Sequence, residues 1–424
     1  MSRLQVAAVA VCITLNMLDG FDVLVVAFTA SAISADWSLS GAQLGVLLSA
    51  GLFGMAGGSL FLAPWADRFG RRVIILFCLT LITLGMLLSA AAQNMVQLAA
   101  LRVFTGVGIG GMLASIGVIT SEYSSNKWRS TNISLQATGY PVGATIGGSI
   151  AAVLIANYGW RAAFLFGAII SALMFPAVLR YLPESMDFLL ARRPAGALER
   201  VNELLRRMGH AQMAQLPQMP ELLPVTAGQE PRNPLRGLFA GPAKRSTVLI
   251  WSSFFLLMFS FYFIMSWTPR LLVSAGLSAQ QGITGGVLLN LGGIAGGSLF
   301  AWLASRFALR RLTYAYLGIT AVCAVIFGFI ATELTTAFVI ALAIGIFLFG
   351  SMAGLYSLAP VLYPANTRTT GMGWAIGIGR IGAILSPMIA GLLVDAGWTT
   401  SYLYAAFALP LLAAVLSVRA LKVA

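Results

Sequence analysis

Twelve long apolar runs fill most of this chain, and a lipid bilayer is the environment that accepts them. They lie at about 5–33, 43–63, 73–92, 96–121, 132–156, 160–182, 246–271, 281–304, 313–331, 335–360, 371–395 and 399–420. A membrane-spanning helix needs roughly 20 apolar residues. Lipid offers no hydrogen-bond partners, so runs of this kind cross as helices, whose backbone groups satisfy one another. A polar segment from about Pro183 to Arg245 divides the runs six and six. The expected fold is an all-α membrane protein of twelve transmembrane helices in two pseudo-symmetric six-helix bundles. An N-terminal bundle covers 1–183, a central loop 184–245, and a C-terminal bundle 246–424. Within the loop, Ala197–Met208 has helical periodicity with a basic face, which suits a helix lying at the membrane surface.

Charge sets the orientation. Only 9% of residues are charged, against roughly 25% in soluble domains. The net charge of +13 would suggest a nucleic-acid partner in a soluble protein. Here the 26 Lys and Arg residues fall in loops on one side, apart from Arg161 and Arg270 opposite and Arg102 and Arg380 within runs. The positive-inside rule therefore explains the charge without nucleic acid, and places both termini and the central loop in the cytoplasm. One arginine precedes the first run and no small-residue cleavage pattern follows it, so it reads as a retained span.

The chain also excludes several chemistries. Cys12, Cys78 and Cys323 are isolated, each in an apolar run, with neither disulfide nor metal-ligand spacing. The single histidine, His210, lies in the polar loop, so a histidine base or metal site within the membrane is ruled out. No nucleophile–base constellation points to an enzyme, and no Gly-Lys-Ser/Thr loop points to ATP. No cofactor or metal is expected.

The two halves repeat. Ala56-Gly-Gly-Ser-Leu-Phe61 on span 2 recurs as Ala295-Gly-Gly-Ser-Leu-Phe300 on span 8. Trp128-Arg-Ser-Thr131 answers Thr367-Arg-Thr-Thr370, and Gly159-Trp160 answers Gly397-Trp398. Two parallel six-helix repeats with a substrate site between them is a known transporter plan.

Charges inside the runs are candidates for function, because a charge at mid-membrane costs about 2.5–3.5 kcal/mol on insertion scales. Asp19 and Asp22 lie three apart on span 1 and share a helix side, with Gly20 between them permitting close approach. Arg102 sits near the outer part of span 4, and Arg380 at the middle of span 11. Arg380 has no counterpart in the first half, where Pro141 holds the equivalent place. A guanidinium added to one half is best explained by an anionic ligand, since its fork matches a carboxylate. An acid exposed in turn to the two sides can load a proton on one and release it on the other. Asp22, deeper along the span than Asp19, is the first choice for that role, and the pair would titrate as a unit. Asp19 could share the proton or bridge to Arg102. A ring could be held by Gln136, Tyr140, Tyr262, Trp267, Asn290, Tyr356 or Trp374, although packing or interface anchoring accounts for each equally well.

Between spans 2 and 3, Ala66-Asp-Arg-Phe-Gly-Arg-Arg72 resembles the loop signature of the major facilitator superfamily. Ala63 and Trp65 depart from it. The physics is a cytoplasmic gate: Asp67 accepts from a helix N-terminus or an arginine, while Arg68, Arg71 and Arg72 hold acids such as Glu122 and Glu184. The matching loop, Ala304-Ser-Arg-Phe-Ala-Leu-Arg-Arg311, has Ser305 in place of the acid. Arg102, Gly106 and Gly110 resemble a second superfamily signature, in which the arginine braces neighbouring helices, so its structural and functional roles stay open. Gly139-Tyr-Pro-Val-Gly143 matches an exporter signature poorly, because Tyr140 breaks its core.

Asp19-Gly-Phe-Asp22, Ser121-Glu-Tyr123 and Gly371–Gly382 together resemble the aromatic acid:proton symporter family within that superfamily. The likeness covers nearly the whole chain and is weakest in the central loop and span 7. It maps the family's span 1 acids onto Asp19 and Asp22, its span 11 arginine onto Arg380, and its loop-edge arginine onto Arg368. It implies proton-driven import of a small aromatic carboxylate through the bacterial cytoplasmic (inner) membrane by alternating access, by a protein working as one chain. Another organic anion, or export on the same fold, is the alternative.

Overall fold

The computed structural model describes residues 1–217, 238, 239, 243–330, 333–363 and 365–421, with backbone alone at 243, 365 and 366. The central-loop stretches 218–237 and 240–242 lie outside the described residues. Twelve helices are long and apolar enough to span a membrane, and no strand occurs among the described residues.

Spans 1 to 6 are Arg3–Trp37, Gly41–Phe61, Arg71–Ala90, Met95–Glu122, Arg129–Tyr158 and Trp160–Tyr181. Spans 7 to 12 are Ala243–Ser274, Ala279–Ala304, Leu309–Ile330, Leu334–Leu358, Ala365–Asp395 and Thr400–Arg419. Most outrun their apolar cores, because polar residues continue the helix beyond hydrocarbon depth. Side chains close several ends: Asn94 and Thr399 cap spans 4 and 12, and Ser278 with Gln281 forms a capping box on span 8. The repeated Gly-Trp pairs mark a shared chain reversal. Gly159 (φ +79°) and Gly397 (φ +81°) take the left-handed conformation just before spans 6 and 12, where a side chain would be strained.

Small residues bring the helices together. On span 2, a Cβ added to Gly54 or Gly58 would strike the carbonyls of Val103 and Val107 on span 4. On span 8, Gly292 and Gly296 meet Leu342 and Ile346 of span 10 in the same way. The recurring Ala-Gly-Gly-Ser-Leu-Phe therefore does not use the same glycine in both halves. Its second glycine (Gly58) makes the crossing in the first half, and its first (Gly296) in the second, while Gly57 and Gly297 face open space.

Three shorter elements flank the spans. Ala63–Phe69 follows span 2, and Met186–Arg192 and Ala197–Met208 follow span 6. The last was expected to rest its apolar face on the membrane. Instead Val201, Leu204 and Leu205 form a buried cluster with Leu189 and with Leu4 of span 1, so protein covers that face.

By compactness the chain divides into two units. One comprises Met1–Val23, Phe53–Gly143 and Phe164–Glu230, the other Leu24–Leu52, Ala144–Ala163 and Pro231–Ala424. The second unit takes up the Trp37 end of span 1, the Gly41 end of span 2 and the Tyr158 end of span 5. These ends pack on second-half helices within that unit. Phe28, for instance, lies where Cβ atoms on Gly148 and Gly286 would strike its ring.

Candidate functional site

In the first unit, span 1 carries Asp19 and Asp22 at 0% and 1% exposure, so protein and not lipid covers both. Their surroundings follow from a tight crossing with span 5. A Cβ on Gly20 would collide with the Tyr140 carbonyl, and one on Gly143 with the main chain at Met17. Among the described residues, neither oxygen of the Asp19 carboxyl has a hydrogen-bond partner, and Asp22 has one oxygen without a partner. Arg102, 1% exposed, does not pair with either acid. Its Nη2 donates to the main-chain carbonyl of Asp22, its Nη1 lies 3.2 Å from the Met86 sulfur, and the Phe164 ring is 6.0 Å away. Arg102 thus pins the backbone of span 1 at Asp22 and leaves the carboxyl open. The expected Asp19–Arg102 bridge is not formed.

Gln136 is buried, and its main-chain carbonyl accepts from the Asn16 amide. Asn16 is a buried polar residue that reading the sequence passed over, although it stands beside the acidic pair.

The loop between spans 2 and 3 gathers most of its candidates. Arg71 donates to Glu122 and to the Ser185 hydroxyl, and reaches Asp67 at 3.3 Å. Glu122 also accepts from Ser185 Oγ at 2.9 Å and from the Met186 amide at 3.0 Å. Glu184 does not take a guanidinium; it accepts the main-chain N–H of Arg72 at 3.1 Å. Gly70 (φ +102°) makes room, since a Cβ there would meet the Glu184 carboxylate. Arg72 reaches the Leu179 carbonyl at 2.6 Å, and Arg192 the Asp67 carbonyl at 3.0 Å. Arg68 lies over the Phe69 ring, 5.4 Å from its centre. Tyr123 donates to the Glu184 carbonyl at 2.6 Å, and burial, with the charges of Glu122 and Glu184, raises its pKa. Ser185, the junction of this network, was not among the candidates read from the sequence. The corresponding second-half loop has no ion pair among the described residues, and Arg306 stacks 4.3 Å from the Trp302 ring.

In the second unit, Arg380 is half-buried on span 11 and makes no hydrogen bond or ion pair with any described residue. Tyr262 is half-buried on span 7, its ring edge-on to Phe261 with centres 5.3 Å apart. Tyr356 packs edge-on to Phe254 at 5.3 Å, and Gly379 brings the helix close to Met258 and Phe254. Trp374 stacks on Trp251 at 5.9 Å. Trp267 is 1% exposed and donates to the Pro387 carbonyl at 3.2 Å, which makes it a packing anchor here. Asn290 is fully buried and bonds to Gly286 of its own helix, leaving its side-chain oxygen without a partner. Arg368 is exposed, and its Nε reaches the Tyr363 carbonyl at 3.4 Å. Tyr140 and Gln136 both belong to the first unit.

This architecture and these charges define a polytopic carrier. The family model of the Major Facilitator Superfamily matches residues 10–379, and the chain belongs to that superfamily. It is similar to a gallate transporter of Pseudomonas putida, 32% identical over 96% of this chain and 90% of the relative. It is also similar to the 4-hydroxybenzoate transporter PcaK of Pseudomonas aeruginosa, 32% identical over 97% and 91%. Both relatives agree with the resemblance to the aromatic acid:proton symporter family. In fold, the chain superposes on a partially occluded inward-open structure of the xylose transporter XylE from E. coli. That match has a TM-score of 0.74 at 15% identity and covers 98% of this chain and 97% of that chain. The protein is a membrane transporter and not an enzyme.

Proposed function

We propose that this transporter imports a small aromatic monocarboxylate together with protons, through the bacterial cytoplasmic membrane and with both termini inside. Arg380 anchors the carboxylate, and Asp22, with Asp19, carries the coupling proton. The observations that bear most weight are two unmet needs, one in each unit. Among the described residues, span 1 holds buried acid oxygens without donors, and span 11 holds a mid-span guanidinium without an acceptor. Unpaired charges within a membrane protein are costly and mark transport pathways. The names of the relatives favour an aromatic acid over other organic anions. Tyr262 and Tyr356 add hydroxyl donors and ring faces for such a molecule. Proton symport needs no cofactor.

The test is a panel of aromatic acids, including benzoate, hydroxybenzoates, gallate and nicotinate, against non-aromatic carboxylates. Thermal stabilisation of the purified protein is expected from aromatic members and not from the others. Stabilisation by non-aromatic acids alone would overturn the substrate class.

A further inference from the structure

Asp395, the last residue of span 11, lies where the sequence offers no reason to notice it. Its two carboxylate oxygens accept the first main-chain N–H groups of span 2, from Gly41 at 2.5 Å and Ala42 at 2.8 Å. Those amides lack acceptors within their own helix, and the positive end of the helix dipole favours a carboxylate there. The contact closes a longer seam. Gly41 and Gly391 lie backbone to backbone, and a Cβ on Gly45 would strike the Pro387 carbonyl. Ser49 Oγ donates to the Ile384 carbonyl at 2.7 Å, and Ser49 is 3% exposed. Gly41, Gly45 and Ser49 recur every four residues, as do Pro387, Gly391 and Asp395, so one small-residue face of each helix meets the other. The seam starts one helical turn beyond Arg380 and ends at the carboxylate.

We infer that Asp395 is a latch: it clasps the first turn of span 2 and holds spans 2 and 11 together at the Gly41 end of the second unit. The two helices come from different halves of the repeat. Alternating access requires repeats to move against one another, so this seam opens once per cycle. The clasp is built to allow that. Asp395 is exposed at the rim, and water can replace it on both amides when the helices part. The glycines and the serine carry no bulk that would resist closing again. By this reading Asp395 sets the balance between closed and open forms of that end and takes no part in holding the substrate.

The experiment uses the full chain with Cys12, Cys78 and Cys323 replaced by alanine and Ser49→Cys as reporter. The rate of labelling of the purified protein by a fluorescent maleimide reads opening of the seam. Asp395→Ala is expected to raise that rate about twofold to thirtyfold, the range of a lost helix cap, and Asp395→Asn, which keeps one acceptor oxygen, to lie between. Equal rates in folded proteins of unchanged Tm would overturn the latch. A second arm covers a variant that fails to fold. With Asp395 intact, Ser49→Cys and Ile384→Cys are joined by a short, reducible thiol crosslinker, and transport is measured in proteoliposomes. Transport is expected to fall to background and to return with reductant. Normal transport by the crosslinked protein, or failure of the pair to crosslink, would overturn the proposal.

Discussion

Arg380 and the pair Asp19 and Asp22 were legible because an ionisable residue inside an apolar run stands out against its background. What the sequence did not disclose is what each of them touches. Arg102 looked like a partner for Asp19, yet it bonds to the Asp22 main chain and to the Met86 sulfur. Asn16, Ser185 and Asp395 were missed because small polar residues at helix ends and crossings are common, and they gain meaning only from neighbours distant in the chain. Arg380→Lys is expected to weaken binding of an aromatic carboxylate at least about tenfold, because a point charge cannot reproduce the bidentate fork. Isothermal titration with the purified variant checks this, and unaltered affinity would assign Arg380 a structural role.

At the scale of elements, crossings and loops separate interactions that matter from those that resemble them. Gly58→Ala is expected to cost about 1–3 kcal/mol through overpacking against Val107, whereas Gly57→Ala, facing open space, is expected to be near neutral. Thermal melts of the two variants compare adjacent residues of one motif, and equal losses would contradict the assigned crossing. In the loop between spans 2 and 3, the Asp67 side chain is 70% exposed, while those of Arg71 and Glu122 are 14% and 9% exposed. Exposed pairs contribute about 0–1 kcal/mol, and removing one partner of a buried pair costs about 3–5 kcal/mol. Glu122→Gln is therefore expected to lower Tm clearly. Asp67→Asn is expected to spare Tm and slow turnover more than it weakens binding. The reverse order in melts would show that Asp67 carries the loop. The signature was readable in sequence, but the ranking within it depends on burial, which a motif does not encode.

For the whole molecule, length and hydropathy sufficed for twelve spans, and internal repetition for two related halves. The exact register was less accessible. The recurring hexapeptide appeared to align the halves residue for residue, yet the glycines that make the crossings are displaced by one position within it. Identity of residues reports ancestry, whereas close approach reports which side of the helix faces its neighbour. The amphipathic helix Ala197–Met208 teaches the same lesson: its periodicity was plain, but whether lipid or protein met its apolar face was a tertiary matter. Orientation is open to a direct check. Reporter fusions at the C-terminus and in the central loop are expected to be active only as cytoplasmic reporters, and an active periplasmic reporter at either place would reverse the proposed topology.

If Asp22 carries the coupling proton, proton movement and anion movement are one event. Membrane vesicles carrying the protein are given radiolabelled 4-hydroxybenzoate and an imposed inward proton gradient. The expected result is accumulation above the external concentration, its collapse on addition of a protonophore, and its loss in Asp22→Asn, whose amide cannot cycle a proton. Accumulation that survives the protonophore, or that Asp22→Asn retains in full, would contradict it.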